Sequence, residues 1–200
     1  MTAAPSPSSS SSTPRRLTVM AGPTAVGKGT ISANIRARYP EIWLSVSATT
    51  RDPRPGEVEG VNYFFVGPTK FHEMVEDGEL LEWAVVHGQN SYGTPRAAVE
   101  AQLNAGIPAL LEIDLQGARQ VKESMPDAQF IFLAPPSWEE LVRRLVGRGT
   151  ETKEEQERRL ETARVELAAQ SEFDHVVIND DIERATDEII SLMGLTPHAN

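Results

Sequence analysis

The residues whose types and spacing point most directly to chemistry are Gly22, Pro23, Thr24, Ala25, Val26, Gly27, Lys28, Gly29 and Thr30, which follow the apolar stretch Leu17 to Ala21 and open a helical segment. Glycines let such a loop curl so that successive backbone N–H groups point inward. The following helix adds its positive end, and Lys28 brings a full charge to the β- and γ-phosphates of a bound nucleotide. The chemistry is anion capture, and the site suits a nucleoside triphosphate. An ordinary strand-to-helix turn explains the glycines but gives no reason for a lysine aimed into the loop. Gly29 stands where Ser or Thr usually follows the lysine. The hydroxyl for Mg²⁺ must therefore come from Thr30, or the ion must be held through waters and phosphates.

Arginines carry the next layer of phosphate chemistry. Arg51 and Arg54 are three apart in a segment stiffened by Pro53 and Pro55. Such a fork can hold one phosphate from two sides, although two solvated surface arginines would read the same way in isolation. Arg143, Arg144, Arg148 and Arg159 span two capped helical segments. Arg143 or Arg144 has an ordinary partner in Glu139 or Glu140 one turn back. Arg148, between Gly147 and Gly149, sits on a hinge, which is how a lid would deliver charge to a transferring phosphoryl group. Glu112 and Asp114 end a buried strand; they can orient metal-bound waters or a substrate hydroxyl, or one of them can cap the next helix. His72-Glu-Met-Val-Glu76 lacks the second histidine of a zinc-protease helix, and the histidines read as surface or satisfied residues.

These residues must be positioned by a regular scaffold. The pattern predicts a strand at Leu17–Ala21, a helix at Lys28–Arg38, a second strand at Ile42–Ala48, a short strand at Tyr63–Val66 and a short helix at Thr69–Asp77. A strand over Leu80–His87 is expected to turn at Ser91-Tyr92-Gly93. Thr94-Pro95 reads as an N-cap followed by proline at the first helical position, and Gly106 as the stop. Pro108–Ile113 and Gln129–Leu133 are nearly continuous apolar runs, the mark of parallel strands buried on both faces. Ser137 with Glu140 and Thr152 with Glu155 form two capping boxes. A last strand at His175–Ile178 and a helix capped near Asp180 or Asp181 complete the alternation. Strands alternating with helices predict an α/β fold, a doubly wound parallel sheet with ligands at the carboxyl ends of its strands. Residues 47 to 92 have the wrong texture for that sheet and read as an inserted substrate-binding subdomain. Trp43, Trp83 and Trp138 read as core residues.

Composition sets the boundaries. A formal net charge of −10 argues against a nucleic acid polymer as partner, because phosphate backbones are bound by basic surfaces. The absence of cysteine excludes disulfide and thiolate chemistry and fits a reducing cytoplasm. No apolar run approaches the ~18 residues of a membrane span, and no oligomeric state is implied. Met1 to Pro14 are mostly Ser, Pro, Thr and Ala, and a disordered tail is expected there. Arg15-Arg16 is not expected to be an export signal, because the apolar stretch after it ends at once in the phosphate loop.

Taken together, Gly22–Thr30, Ser47 to Glu57, Leu81-Glu82-Trp83, Tyr92 to Pro95, Glu112 to Gly117, Gly147 to Thr150 and Val177 to Asp180 resemble guanylate kinases in that family's order, over roughly residues 15 to 193. The resemblance implies a P-loop core at 15–46, 96–135 and 171–195, a GMP-binding insert at 47–95 and a helical lid at 136–170. It implies that Lys28 and the loop hold ATP phosphates, that Arg51, Arg54, Tyr63 and Tyr92 hold the GMP phosphate, and that Ser47, Glu82 and Thr94 read guanine with Asp114 close by. Arg144, Arg148 and Arg159 would bring lid charge to the donor phosphates, and Asn179 would lie near adenine. Thr30 and Glu112 are the candidates for holding Mg²⁺. Gly29, found where many members have Ser, and Glu112, found where some have Asp, depart from the pattern at that ion.

The guanine assignment makes chemical sense. Guanine presents N1–H and N2–H₂ as adjacent donors, which a carboxylate accepts together, whereas adenine places an unprotonated N1 there. Glu82 supplies that acceptor if it faces the pocket and not solvent. The expected activity is transfer of the γ-phosphoryl group of Mg·ATP to GMP, giving ADP and GDP. The alternatives are a related sugar-phosphate kinase, which would need no guanine-reading set, and a non-catalytic phosphopeptide-binding domain, which would have a damaged ATP site.

Overall fold

The computed structural model describes residues 17–86, 89–146 and 153–198. The expected tail, Arg15-Arg16, His87, the Gly147-Arg148-Gly149 hinge and Thr152 lie outside those residues. In chain order the elements are β1 (Thr18–Ala21), α1 (Lys28–Arg38), β2 (Trp43–Leu44), β3 (Ala48–Thr49), β4 (Phe64–Phe65), α2 (Pro68–Glu76), β5 (Leu80–Val86) and β6 (Asn90–Pro95). Then follow α3 (Arg96–Asn104), β7 (Ala109–Glu112), α4 (Leu115–Ser124), β8 (Gln129–Ala134), α5 (Trp138–Val146), α6 (Lys153–Ala168), a 3₁₀ turn (Ala169–Glu172), β9 (His175–Ile178) and α7 (Ile182–Leu192).

The main sheet has the order β2-β7-β1-β8-β9, and every pairing in it is parallel. From β1 the chain moves outward to β2, returns through β7 and crosses to β8 and β9. The strand order therefore reverses beside β1, where an open sheet of this kind offers a crevice at its carboxyl edge. Successive β1 residues serve opposite faces. Met20 packs with Ile31, Ile35 and Ile189 of α1 and α7, while Val19 and Ala21 pack with Val99, Ala118 and Val121 of α3 and α4. That two-sided burial is why β1, β7 and β8 read as apolar runs without alternation.

The second sheet, ordered β4-β3-β6-β5, is mixed, with β5–β6 and β3–β6 antiparallel. It has its own small core, in which Ala48 and Leu80 pack with Phe71 and Met74 of α2. All of its strands lie between Ala48 and Pro95.

Several local readings are corrected. The single strand expected over Ile42–Ala48 is two: Trp43–Leu44 pairs with β7 of the main sheet, and Ala48–Thr49 pairs with β4 and β6 of the second. Extended propensity does not say which sheet an extended segment joins. Ser91-Tyr92-Gly93 is not a turn but strand, paired with Trp83 to Val85. Glycine is there for space, because a Cβ at Gly93 would fall 2.9 Å from Glu82 O. Thr94 does not cap α3; Pro95 holds the N-cap position, and the Thr94 hydroxyl is turned to Glu82. Trp83 is not core but 39% exposed, while Trp43 and Trp138 pack against core clusters. Ser137 accepts the Glu140 N–H at 3.1 Å, but Glu140 does not reciprocate and pairs with Arg143 and Arg144. Asp181 caps α7 through the Arg184 N–H at 2.9 Å.

Candidate active site

Two adjoining cavities open at the carboxyl edge of the main sheet. The larger, about 720 Å³, is walled by Thr24, Ala25, Gly27, Lys28, Gly29 and Thr30 of the loop and first turn of α1, with Glu112, Arg144 and Asn179 opposite. The smaller, about 190 Å³, is walled by Ser47, Tyr63, Glu82, Tyr92 and Asp114. Lys28 and Glu112 belong to both walls and mark where the cavities meet.

The loop obtains its shape from unusual backbone and from bracing beneath. Ala25 has φ of 66°, the only positive value for a non-glycine among the described residues, and Gly27, the N-cap of α1, has φ of 104°. Such left-handed turns aim consecutive N–H groups at one point. The first turn of α1 carries no acidic residue, so its positive end is undiminished. Gly22, Pro23 and Val26 are in the loop but are buried, and their carbonyls face the protein. Lys28 Nζ donates to Gly22 O at 2.6 Å and to Pro23 O at 3.2 Å. Val26 O accepts from Asn179 Nδ2 at 2.8 Å and from Arg144 Nη1 at 3.0 Å. Burial pushes the Lys28 pKa down, against the opposing pull of Glu166, Glu112 and Asp114.

Asn179 and Arg144 thus line the larger cavity while each gives a hydrogen bond to the loop. A Cβ at Gly27 would lie 2.5 Å from Asn179 Nδ2, so that contact requires glycine. Arg144 also donates to Glu140 at 2.8 Å, the partner one turn back that its helix spacing predicts. Arg159 lies on α6, outside both cavity walls, and Arg148 is outside the described residues. Thr30 is exposed in the larger cavity, and a Cβ at Gly29 would stand 3.8 Å from Glu112 Oε1.

In the smaller cavity Glu82 is buried, 5% exposed, and its Oε1 accepts the Thr94 hydroxyl at 2.6 Å. Burial, with the Asp114 charge nearby, raises its pKa to about 7 against the Thr94 hydrogen bond. A solvated strand carboxylate is excluded. Asp114 caps α4, accepting the Gly117 N–H at 2.7 Å, and still lines the cavity. Arg51 Nε donates to the Tyr92 hydroxyl at 3.3 Å, and its guanidinium lies 5.3 Å from the Tyr63 ring centre. Burial raises the Tyr63 pKa. Arg54 does not join Arg51: its side chain is exposed, and its hydrogen bonds to Glu57 run through its backbone N–H and carbonyl.

Two residues escaped the sequence reading. Glu57 grips Arg51 with both oxygens, at 3.0 and 2.8 Å, and accepts the Arg54 N–H at 2.7 Å. The arginine hydrogen bonds hold the Glu57 pKa down, and the same contact raises that of Arg51 further. An acid three residues after Arg54 in a proline-stiffened loop was the available signal. Glu166 on α6 accepts the Thr24 N–H of the phosphate loop at 3.0 Å, and burial raises its pKa. No local pattern announces a contact across that much chain.

Comparisons with known proteins agree with this geometry. The family model for guanylate kinase matches residues 14–194. The chain is 63% identical to a guanylate kinase of Leifsonia xyli, over 92% of this chain and 72% of that protein. It is 62% identical to one of Streptomyces kasugaensis, over 89% and 86%. The crystal structure of a guanylate kinase from Anaplasma phagocytophilum superposes with a TM-score of 0.70 at 36% identity, covering 90% of this chain and 84% of that one. A phosphate loop beside a smaller cavity with a buried carboxylate, on a fold and sequence matched over most of their length, places this chain in the guanylate kinase family.

Proposed function

We propose that this chain transfers the γ-phosphoryl group of ATP to GMP with the donor in the larger cavity and the acceptor in the smaller. The observation that carries the assignment is the shared wall: Lys28 and Glu112 stand where an ATP and a GMP would bring their phosphates together. The acceptor is a phosphate oxygen, already ionised near neutral pH, so attack on the γ-phosphorus needs no general base. The γ-phosphorus–oxygen bond to ADP breaks as the bond to GMP forms, and no covalent enzyme intermediate is required. Catalysis is positioning and charge neutralisation.

Lys28 and the loop N–H groups bind the donor phosphates, with Arg144 at the cavity wall. Arg148 and Arg159 are assigned to the lid that closes over them. Arg51, Tyr63 and Tyr92 form the seat for the GMP phosphate, and Arg54 must swing inward to join them. Ser47, Glu82 and Thr94 read guanine, and Asp114 orients the site from the start of α4. Residues 15–46, 96–135 and 171–195 then act as the core, 47–95 as the GMP-binding insert and 136–170 as the lid.

Mg²⁺ fits the donor set: the Thr30 hydroxyl and Glu112 carboxylate face one cavity, and no cluster of three or more metal-binding side chains occurs among the described residues. That is the pattern of an ion carried mainly by nucleotide phosphates and water. When bound it neutralises charge on the β- and γ-oxygens. Among the described residues no helix is long and apolar enough to cross a membrane. With a cysteine-free chain, a cytoplasmic site of action is the reading we adopt.

A coupled assay of ADP formation with GMP, dGMP, AMP and sugar phosphates as acceptors tests the proposal. GMP should have the highest specificity constant. A preference for AMP or a sugar phosphate overturns it.

A further inference from the structure

Helix α4 presents two residues, one turn apart, to strand β5. Gln120 pairs its side-chain amide with both backbone groups of Trp83: the Trp83 N–H donates to Gln120 Oε1 at 3.0 Å, and Gln120 Nε2 donates to Trp83 O at 2.7 Å. Strand β5 is an edge of its sheet, and this contact is the rung that a neighbouring strand would otherwise supply. It ties the second sheet to a helix packed on the first. Trp83 is the residue next to Glu82, so the rung sets the height of Glu82 above α4.

Gly117, one turn before Gln120, lies directly beneath the Glu82 carboxylate. A Cβ built on Gly117 would fall 2.6 Å from Glu82 Oε2 and 3.1 Å from its Cδ. The other oxygen of the same carboxylate is held by Thr94 at 2.6 Å. Glycine is a poor choice in a helix on propensity alone, and Gly117 does not appear among the residues with positive φ. Space for Glu82 is the feature that glycine supplies here.

We infer that Gly117 and Gln120 are positioning residues for guanine selection: Gln120 registers β5 against α4, and Gly117 leaves the notch that seats the Glu82 carboxylate facing the acceptor cavity. The inference rests on the reading of Glu82 as the acceptor for guanine N1–H and N2–H₂. Neither residue lines the acceptor cavity. Both act through Glu82.

Gly117→Ala separates a positioning role from a structural one because the two move opposite quantities. The atom in the way is the far end of a flexible side chain, so the carboxylate swings aside and the helix, now with a better helix former, keeps or gains stability. The melting temperature is expected to hold or rise. KM for GMP is expected to rise about tenfold, as for loss of one charge-assisted hydrogen bond. KM for ATP should not change, and the GMP-to-AMP ratio of specificity constants should fall. Gln120→Leu, which keeps bulk and removes the amide, should move KM for GMP in the same direction by a smaller factor, and it decides the question if Gly117→Ala melts lower. Glu82→Gln is measured alongside. If Glu82→Gln lowers the GMP-to-AMP ratio while Gly117→Ala and Gln120→Leu leave KM for GMP and the ratio at wild-type values, the inference is overturned and the reading of Glu82 stands. If Glu82→Gln leaves the ratio unchanged, the reading falls and the inference falls with it.

Discussion

In the proposed assignment the donor and acceptor cavities bind the same chemical group by opposite constructions. The donor side is one continuous stretch, Gly22 to Thr30, whose working parts are backbone N–H groups, a helix end and a single lysine. Its side-chain contacts are mostly braces from below, from Asn179 and Arg144 to Val26 O. The acceptor side is assembled from side chains on β5, β6, the loop after β3 and the start of α4, and its two key charges are held by other side chains: Glu82 by Thr94, Arg51 by Glu57. A backbone cradle grips any polyphosphate of the right shape. A side-chain cavity can tell one base from another, because a buried acceptor left without a donor costs more than a paired one gains.

The contrast can be broken first at Lys28. As the only full charge in the phosphate loop, it should be indispensable to the donor side, and Lys28→Met is expected to cut turnover by roughly 10²- to 10³-fold with the fold intact. Turnover within about threefold of wild type, with an unchanged circular dichroism spectrum, would remove the donor assignment.

Acidity should act more strongly on the acceptor side than on the donor side. With its pKa raised to about 7, Glu82 is protonated below that pH in the free enzyme, whereas the proposed contact with guanine requires the ionised form. KM for GMP is expected to climb by about tenfold per pH unit below 7, KM for ATP far less, and Glu82→Gln should flatten the GMP profile. Parallel profiles for wild type and Glu82→Gln would assign the titration to another group.

The same carboxylate should cost stability. A folded-state pKa raised from 4.5 to about 7 means that the native state holds the proton more tightly. Its contribution is fully present below the unfolded value and is lost as pH rises through the folded one. Glu82→Gln is therefore expected to match wild type near pH 4.5 and to exceed it by about 2–3 kcal/mol above pH 7 in the absence of nucleotide. Urea unfolding at the two pH values measures this. Equal differences at both would show that burial does not penalise this carboxylate.

The smallest effect is expected at the brace. Asn179→Ala removes one of two donors to Val26 O while Arg144 keeps the other, so KM for ATP should rise about fivefold, as for one ordinary hydrogen bond, with KM for GMP unchanged. An equal rise in both constants would mean that Asn179 supports the whole cleft and not the donor loop.

Much of this architecture was legible because local physics dictated it. Helix α1 runs over Lys28–Arg38 and strand β9 over His175–Ile178, as their patterns predict, since apolar periodicity and a glycine start are properties of contiguous residues. The phosphate loop was legible for the same reason. Ile42–Ala48 was not, because an extended apolar run carries no label for the sheet it joins. Ser91 to Gly93 misled because glycine and serine favour turns locally, while here glycine is selected by the close approach of Glu82 O.

The sequence by itself determined the fold class and the phosphate loop with its lysine, and it supplied the carboxylate chemistry on which the proposed discrimination of guanine from adenine rests. Each of these follows from neighbours in the chain or from the chemistry of single side chains. Only the tertiary structure decided that Glu82 is buried and paired with Thr94, that Glu57 grips Arg51 while Arg54 stays outside, that Asn179 braces the loop, that Glu166 reaches Thr24 and that Gly117 makes room for a carboxylate. Those are relations between residues far apart in sequence, and their energies depend on distance and desolvation, which exist only once the chain has closed around them.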